Sequence, residues 1–133
     1  MSVRIVRLGS GRVPGEGLRI GTVRRPPRGV PKSEHASQNW YDVWLPNLAP
    51  SAPLVKAALD ARSGREWTSF VRKYRVEMAA LDNARVLDLL AALSHHADFS
   101  VGCYCADESR CHRSVLRALL EERGALVADS ARR

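Results

Sequence analysis

The sequence predicts an α/β protein: a compact, layered, Rossmann-like sheet, mostly parallel, with helices packed on it, built as one domain over residues 1–133. Three observations predict it. Runs with strand character stand near both ends of the chain, and three stretches of helical periodicity lie between them. The run at 99–105 is apolar on both faces, which suits a buried parallel strand rather than a half-solvated antiparallel one. A chain of 133 residues also lies in the range of one domain and buries a core without disulfide help.

The elements follow in order. At the start Val3 and Ile5 face one way and Arg4 and Val6 the other, the alternation of a strand. A loop punctuated by Gly9, Gly11, Pro14, Gly15 and Gly17 leads to a second strand over 18–23, with Leu18, Ile20 and Thr22 opposite Arg19, Gly21 and Val23. Residues 24–32 hold three prolines and Gly29, so they form a stiff cationic loop. The aromatic segment 39–45 forms either a short strand or a helical turn. From Ser51, an expected N-cap, Leu54, Val55, Ala58 and Leu59 share a helical face, with Gly64 expected to end that helix. Trp67, Phe70, Val71, Tyr74 and Met78 mark the clearest amphipathic helix. A third helix follows Asp82-Asn83, with Val86, Leu89, Leu90 and Leu93 expected inward and His95-His96 at its end, where the helix dipole favours them. Val115, Leu116, Leu119 and Leu120 mark a last helix that stops at Gly124, and 125–127 form a final edge strand.

Composition narrows the function classes. No run approaches the roughly 18 apolar residues of a membrane span, and the opening residues lack a signal peptide's apolar core and cleavage site. The 3 cysteines are odd in number and lie within nine residues, so they read as reduced thiols in the cytoplasm rather than as a disulfide framework. The net charge of +7 favours an anionic partner: a small molecule such as a nucleotide, with nucleic acid as the alternative. The arginines are dispersed, and no nucleic-acid-binding motif is present, so the small molecule ranks first. His35, in a polar loop, is expected to be solvated. Trp40, Tyr41 and Trp44 suit core packing better than base stacking.

The chemistry concentrates in Cys103-x-Cys105-x5-Cys111-His112-Arg113, where a strand hands over to a helix. Ligands of open α/β sheets collect at the carboxyl ends of strands, and a helix N-terminus favours an anion. A thiol there has its pKa lowered. Cys105 and Cys111 are therefore candidate reactive thiols with His112 as proton carrier, and Arg110 and Arg113 are candidate anion-binding residues. Cys103 is a small core hydrophobe on this reading. A zinc site built from Cys103, Cys105, Cys111 and His112 is the alternative. No metal or other cofactor is expected, however, because structural sites usually use spaced ligand pairs and adjacent Cys111 and His112 at a helix start would struggle to reach one ion together. Tyrosine-phosphatase chemistry needs an arginine six residues after the nucleophile. Ser109 and Cys111 hold that place for Cys103 and Cys105, and Arg117, which holds it for Cys111, falls inside the last helix.

These residues, Cys-Tyr-Cys-Ala-Asp-x3-Cys-His-Arg-Ser over 103–114, resemble the signature of the domain-of-unknown-function 488 family, in its branch of small stand-alone proteins. Pro-Arg-Gly-Val-Pro-Lys (27–32), Trp-Leu-x2-Leu-Ala-Pro-Ser (44–51) and Trp-x2-Phe-x3-Tyr-x2-Glu-Met (67–78) resemble the same branch in order and spacing, across roughly 18–120. The resemblance implies a compact α/β fold with the Cys-His-Arg loop on its ligand edge, and no assigned reaction. It adds Arg24 and Arg28 as candidate ligand contacts beside Cys105, Cys111, His112 and Arg113. The chain departs from the branch at Val23-Arg24-Arg25-Pro26, where the usual Asp-Arg-Leu-Trp would supply an acid and a Trp, so no role for those two carries over.

Overall fold

Five short strands, all parallel, make one sheet in the order β3-β2-β4-β1-β5. The strands are β1 (Val3–Arg7), β2 (Leu18–Gly21), β3 (Val43–Trp44), β4 (Phe99–Cys103) and β5 (Val127–Ala128). The helices are α1 (Ala52–Asp60), α2 (Gly64–Ala79), α3 (Leu81–Leu93) and α4 (His112–Glu122). This computed structural model describes residues 1–105 and 107–128; Ala106 of the motif and 129–133 of the expected domain lie outside the described residues. The expected α/β sheet is present, and the aromatic segment resolves into the edge strand β3.

β4 is the centre of the sheet and is buried along its whole length, as its doubly apolar pattern requires. It pairs with β1 through Ile5 opposite Val101 and with β2 through Ile20 opposite Val101. Residues alternate between the two faces. Val3, Ile5, Ile20, Phe99 and Val101 meet Phe70, Tyr74 and Met78 of α2, Leu87 and Leu90 of α3, and Leu116 and Leu120 of α4 in the main core.

The other face is closed by loops and by a buried ion pair. Arg19, wholly buried, donates from Nε to Glu16 Oε2 at 2.7 Å and from Nη1 to the carbonyls of Ser10 and Asn39 at 2.9 and 2.8 Å. Ser100 on β4 donates to the same carboxylate at 2.8 Å. Burial pushes the Glu16 carboxyl up, but the hydrogen bonds from Arg19 and Ser100 and the arginine's charge outweigh it and hold the group below its ordinary value.

Four expectations are corrected. Gly64 opens α2 instead of closing α1: Ser63 accepts from the Glu66 N–H at 3.2 Å as an N-cap, and α1 already ends at Asp60. On α3 the buried residues are Leu87, Leu90 and Ala91, whereas Leu89 and Leu93 are exposed. Leucine or valine stands at 86, 87, 89, 90 and 93, so apolarity alone does not single out a face. Leu59 on α1 is exposed too. His35 is buried rather than solvated, with its Nε2 donating to the Val30 carbonyl at 3.2 Å and its ring edge-on to Tyr41. His95 lies just past α3, where Nε2 donates to the Gly124 carbonyl at 2.7 Å.

Candidate functional site

Because every strand is parallel, β1, β2 and β4 all end at one edge, and the segments after them meet there. A cleft of about 1150 Å³ opens at that edge. Its walls include Arg7 and Gly9 after β1, Val23, Arg24, Arg25 and Arg28 after β2, Cys103, Tyr104 and Cys105 after β4, and Arg110, Cys111 and His112 leading into α4. Val55, Lys56, Leu59 and Asp60 of α1 close another side. The structure thus gathers Arg24, Arg28, Cys105, Arg110, Cys111 and His112 around one space, although up to 88 positions separate them in the chain.

Cys111 is the N-cap of α4, and the backbone turns from extended to helical there. Beside it His112 is almost fully buried. Its Nε2–H donates to the Thr22 carbonyl at 2.8 Å, and its Nδ1 faces Cys111 Sγ at 3.7 Å. The carbonyl can only accept, so the neutral ring carries its proton on Nε2 and presents a lone pair at Nδ1. Burial lowers the imidazole pKa to about 4, against a smaller raising contribution from the Thr22 hydrogen bond, and the Arg113 charge lowers it further. Tyr74 stands edge-on to the ring at 5.6 Å and is anchored by its hydroxyl, which donates to the Leu48 carbonyl at 2.6 Å.

Cys103, expected only to fill core space, turns its sulfur onto Cys111 as a disulfide partner, which leaves Cys105 as the unpaired cysteine. Two expectations change here. The cysteines are not all separate thiols, and Cys111 and His112 do bring donor atoms together, since Cys103 Sγ, Cys111 Sγ and a His112 ring nitrogen all lie within 4.8 Å of one another. Successive side chains within a regular helix diverge by about 100°. At Cys111, however, the N-cap backbone is extended, and its Sγ lies 3.7 Å from His112 Nδ1.

The arginines divide into two groups. Arg113 is buried and does not line the cleft; its Nη2 donates to the Cys105 carbonyl at 2.6 Å and so ties the motif loop to α4. Burial lowers its pKa. Arg24 lines the cleft but donates to the carbonyls of Pro50 at 3.0 Å and Ala49 at 3.0 Å. Arg110 lies over the Trp67 ring at 5.8 Å. Arg25 and Arg28 are exposed on the cleft wall, and neither guanidinium has a hydrogen bond or ion pair among the described residues. Arg117, inside α4, pairs with Glu108 at 2.8 Å, which agrees with its exclusion from a phosphate cradle.

Sequence reasoning passed over Thr22, whose carbonyl orients His112 and whose hydroxyl donates to the Gly102 carbonyl at 3.0 Å. It also passed over Arg7, Arg25 and Tyr104. The Tyr104 hydroxyl donates to the Arg25 carbonyl at 2.8 Å and its ring meets Trp40 edge-on at 5.8 Å. The available signal was position: each stands at or just after the carboxyl end of a strand. Trp40 packs in a small cluster with Leu8, Val23 and Tyr41, yet its buried indole N–H has no partner among the described residues.

Among the described residues no helix is long and apolar enough to cross a membrane. No curated protein and no solved structure matches the chain. A family model does match, over residues 3–124, which takes in every strand but β5 and all four helices. The chain therefore belongs to the DUF488-N3a family, described as the active DUF488-N3 subclade.

Proposed function

We propose that this protein binds a phosphorylated small molecule, of nucleotide size, in the cleft at the carboxyl edge of its sheet. The observation that carries the reading is the charge of that cleft. Among the described residues, Arg7, Arg24, Arg25, Arg28, Lys56 and Arg110 line it against a single carboxylate, Asp60, and Lys56 already engages that one at 3.0 Å. Arg25 and Arg28 present fork-shaped donors with no protein acceptor among the described residues, the arrangement that suits a bidentate phosphate or carboxylate. The volume of about 1150 Å³ suits a ligand larger than inorganic phosphate, and Trp40 and Tyr104 supply aromatic wall.

The family description speaks of an active subclade, and Cys105, Cys111 and His112 are the residues here suited to chemistry. Burial of His112 disfavours an imidazolium, so a Cys111 thiolate–imidazolium pair would be costly. Cys105, unpaired and half-buried on the cleft wall, is the thiol best placed to meet a ligand. A thermal-shift series with inorganic phosphate and with nucleoside mono- and triphosphates tests the reading. Stabilisation by the nucleotides that is lost in Arg28→Ala supports it. No shift at millimolar ligand, or equal shifts in the variant, overturns it. Steeply salt-dependent binding to oligonucleotides without response to mononucleotides would favour the nucleic-acid alternative.

A further inference from the structure

We infer that Cys103, Cys111 and His112 form a binding site for a zinc-class divalent ion, with its remaining coordination position turned toward the cleft. The inference is independent of the phosphate reading, since it concerns the protein and the ion alone.

Once the Cys103–Cys111 pair is reduced and has lost its two thiol protons, the donor set is two thiolates and an imidazole, the ligands a borderline-soft tetrahedral ion prefers. All three residues are buried, and their donor atoms lie within 4.8 Å of one another. With Zn–S about 2.3 Å and Zn–N about 2.0–2.1 Å, a tetrahedral ion holds a sulfur and a nitrogen about 3.6 Å apart. Cys111 Sγ and His112 Nδ1 are 3.7 Å apart. The same geometry parts the two sulfurs to about 3.8 Å. Reduction frees the sulfurs to part, and the 7.9 Å between the Cα atoms of Cys103 and Cys111 leaves room for that separation.

The surroundings also match. Metal-bound histidines commonly donate their second nitrogen to a carbonyl or carboxylate, which sets the tautomer and aims the ring. The Nε2–H of His112 does this to the Thr22 carbonyl at 2.8 Å, so Nδ1 is the nitrogen left to ligate. Two thiolates neutralise the ion's charge, and the N-terminus of α4 favours the anionic sulfurs. Cys103, Cys111 and His112 all line the cleft, so water or an anionic ligand can complete the tetrahedron. Three protein ligands plus one exchangeable position is the pattern of catalytic rather than structural zinc.

The experiment uses the full chain, reduced with a non-chelating phosphine, and zinc alone in competition with a chromophoric chelator. The expected result is one equivalent bound per chain. Cobalt substitution should give the intense visible bands of a tetrahedral site together with thiolate charge transfer. Cys103→Ser and Cys111→Ser should each weaken uptake by more than about 100-fold, beyond the usual effect of losing an outer-shell partner. Cys105→Ser, whose sulfur is outside the cluster, should retain it. No uptake by the reduced wild-type chain overturns the inference and leaves the pair as a disulfide. So does unchanged affinity in Cys103→Ser, or a weak octahedral cobalt spectrum. The cobalt spectrum of the wild-type protein decides the matter even where a cysteine variant fails to fold. Phosphate binding is scored separately through Arg28→Ala, so either reading can fail without the other.

Discussion

The Nε2–H of His112 donates to the main-chain carbonyl of Thr22 at 2.8 Å, across 90 positions of sequence. One bond thereby joins the carboxyl end of β2 to the first turn of α4. It also sets which ring nitrogen carries the proton and leaves Nδ1 facing Cys111 Sγ. Because the acceptor belongs to the backbone, no side-chain change at residue 22 removes it directly. Thr22→Val should therefore keep the histidine oriented while losing the hydroxyl bond to Gly102, at a cost of about 1 kcal/mol. Chemical denaturation gives the cost. The histidine ring resonances in a two-dimensional NMR spectrum should report the same Nε2-protonated tautomer.

Tyr74→Phe removes a wholly buried hydroxyl and leaves the Leu48 carbonyl without that donor. Stability should fall by about 1–3 kcal/mol, the cost of an unsatisfied buried group, with the packing of the ring against His112 retained. Equal urea midpoints for variant and wild type would contradict this.

Glu16→Gln should be among the most destabilising single changes, because it leaves the wholly buried Arg19 charge without its carboxylate. Breaking a buried pair in this way typically costs about 3–5 kcal/mol. The pair also makes stability depend on pH. The folded Glu16 carboxyl lies below its ordinary value of 4.5. Its contribution is full above pH 4.5 and is lost as pH falls through the lower folded value, where the unfolded chain binds the extra proton. Urea midpoints between pH 7 and pH 3 should fall more steeply for wild type than for the variant.

Gly102→Ala tests the close approach of β4 to β1. A methyl group there would stand 2.6 Å from the Val6 carbonyl oxygen and 2.9 Å from Leu8 Cδ2. Backbone must shift to admit it, at a cost of about 1–3 kcal/mol. The shift would also disturb the Gly102 carbonyl, which accepts from the N–H and the hydroxyl of Thr22. A thermal midpoint equal to that of wild type would show that the two strands tolerate the methyl.

Arg25→Ala and Arg28→Ala should leave stability within about 0.5 kcal/mol, as expected of exposed side chains outside any network. If the cleft holds a phosphate, each should weaken nucleotide binding by about tenfold or more, the worth of one charge-assisted hydrogen bond. Calorimetric titration of the folded variants measures both affinity and, through its salt dependence, the charges involved.

Several features were legible in the residues alone. The spacing of Trp67, Phe70, Tyr74 and Met78 defines α2, and all four pack in or against the core. The doubly apolar run at 99–103 marks the central parallel strand, and Cys111 stands at a helix start as expected. Parallel pairing then carries the loops after β1, β2 and β4 to one edge, which is why candidates drawn from 24–28 and 105–112 share a cleft. These follow from local periodicity and chain direction, which the sequence contains. What only the tertiary structure decided depends on partners distant along the chain. Arg19 reads only as a charged residue on the strand face opposite Leu18 and Ile20, yet it is buried because Glu16, Ser10 and Asn39 supply its acceptors. Arg113 reads as a ligand-facing cation, yet it turns inward to the Cys105 carbonyl. Cys103 reads as core, yet its sulfur meets Cys111 beside a histidine held by Thr22. A side chain's own chemistry sets what it can bond to, and the packed neighbours determine which of those bonds it makes.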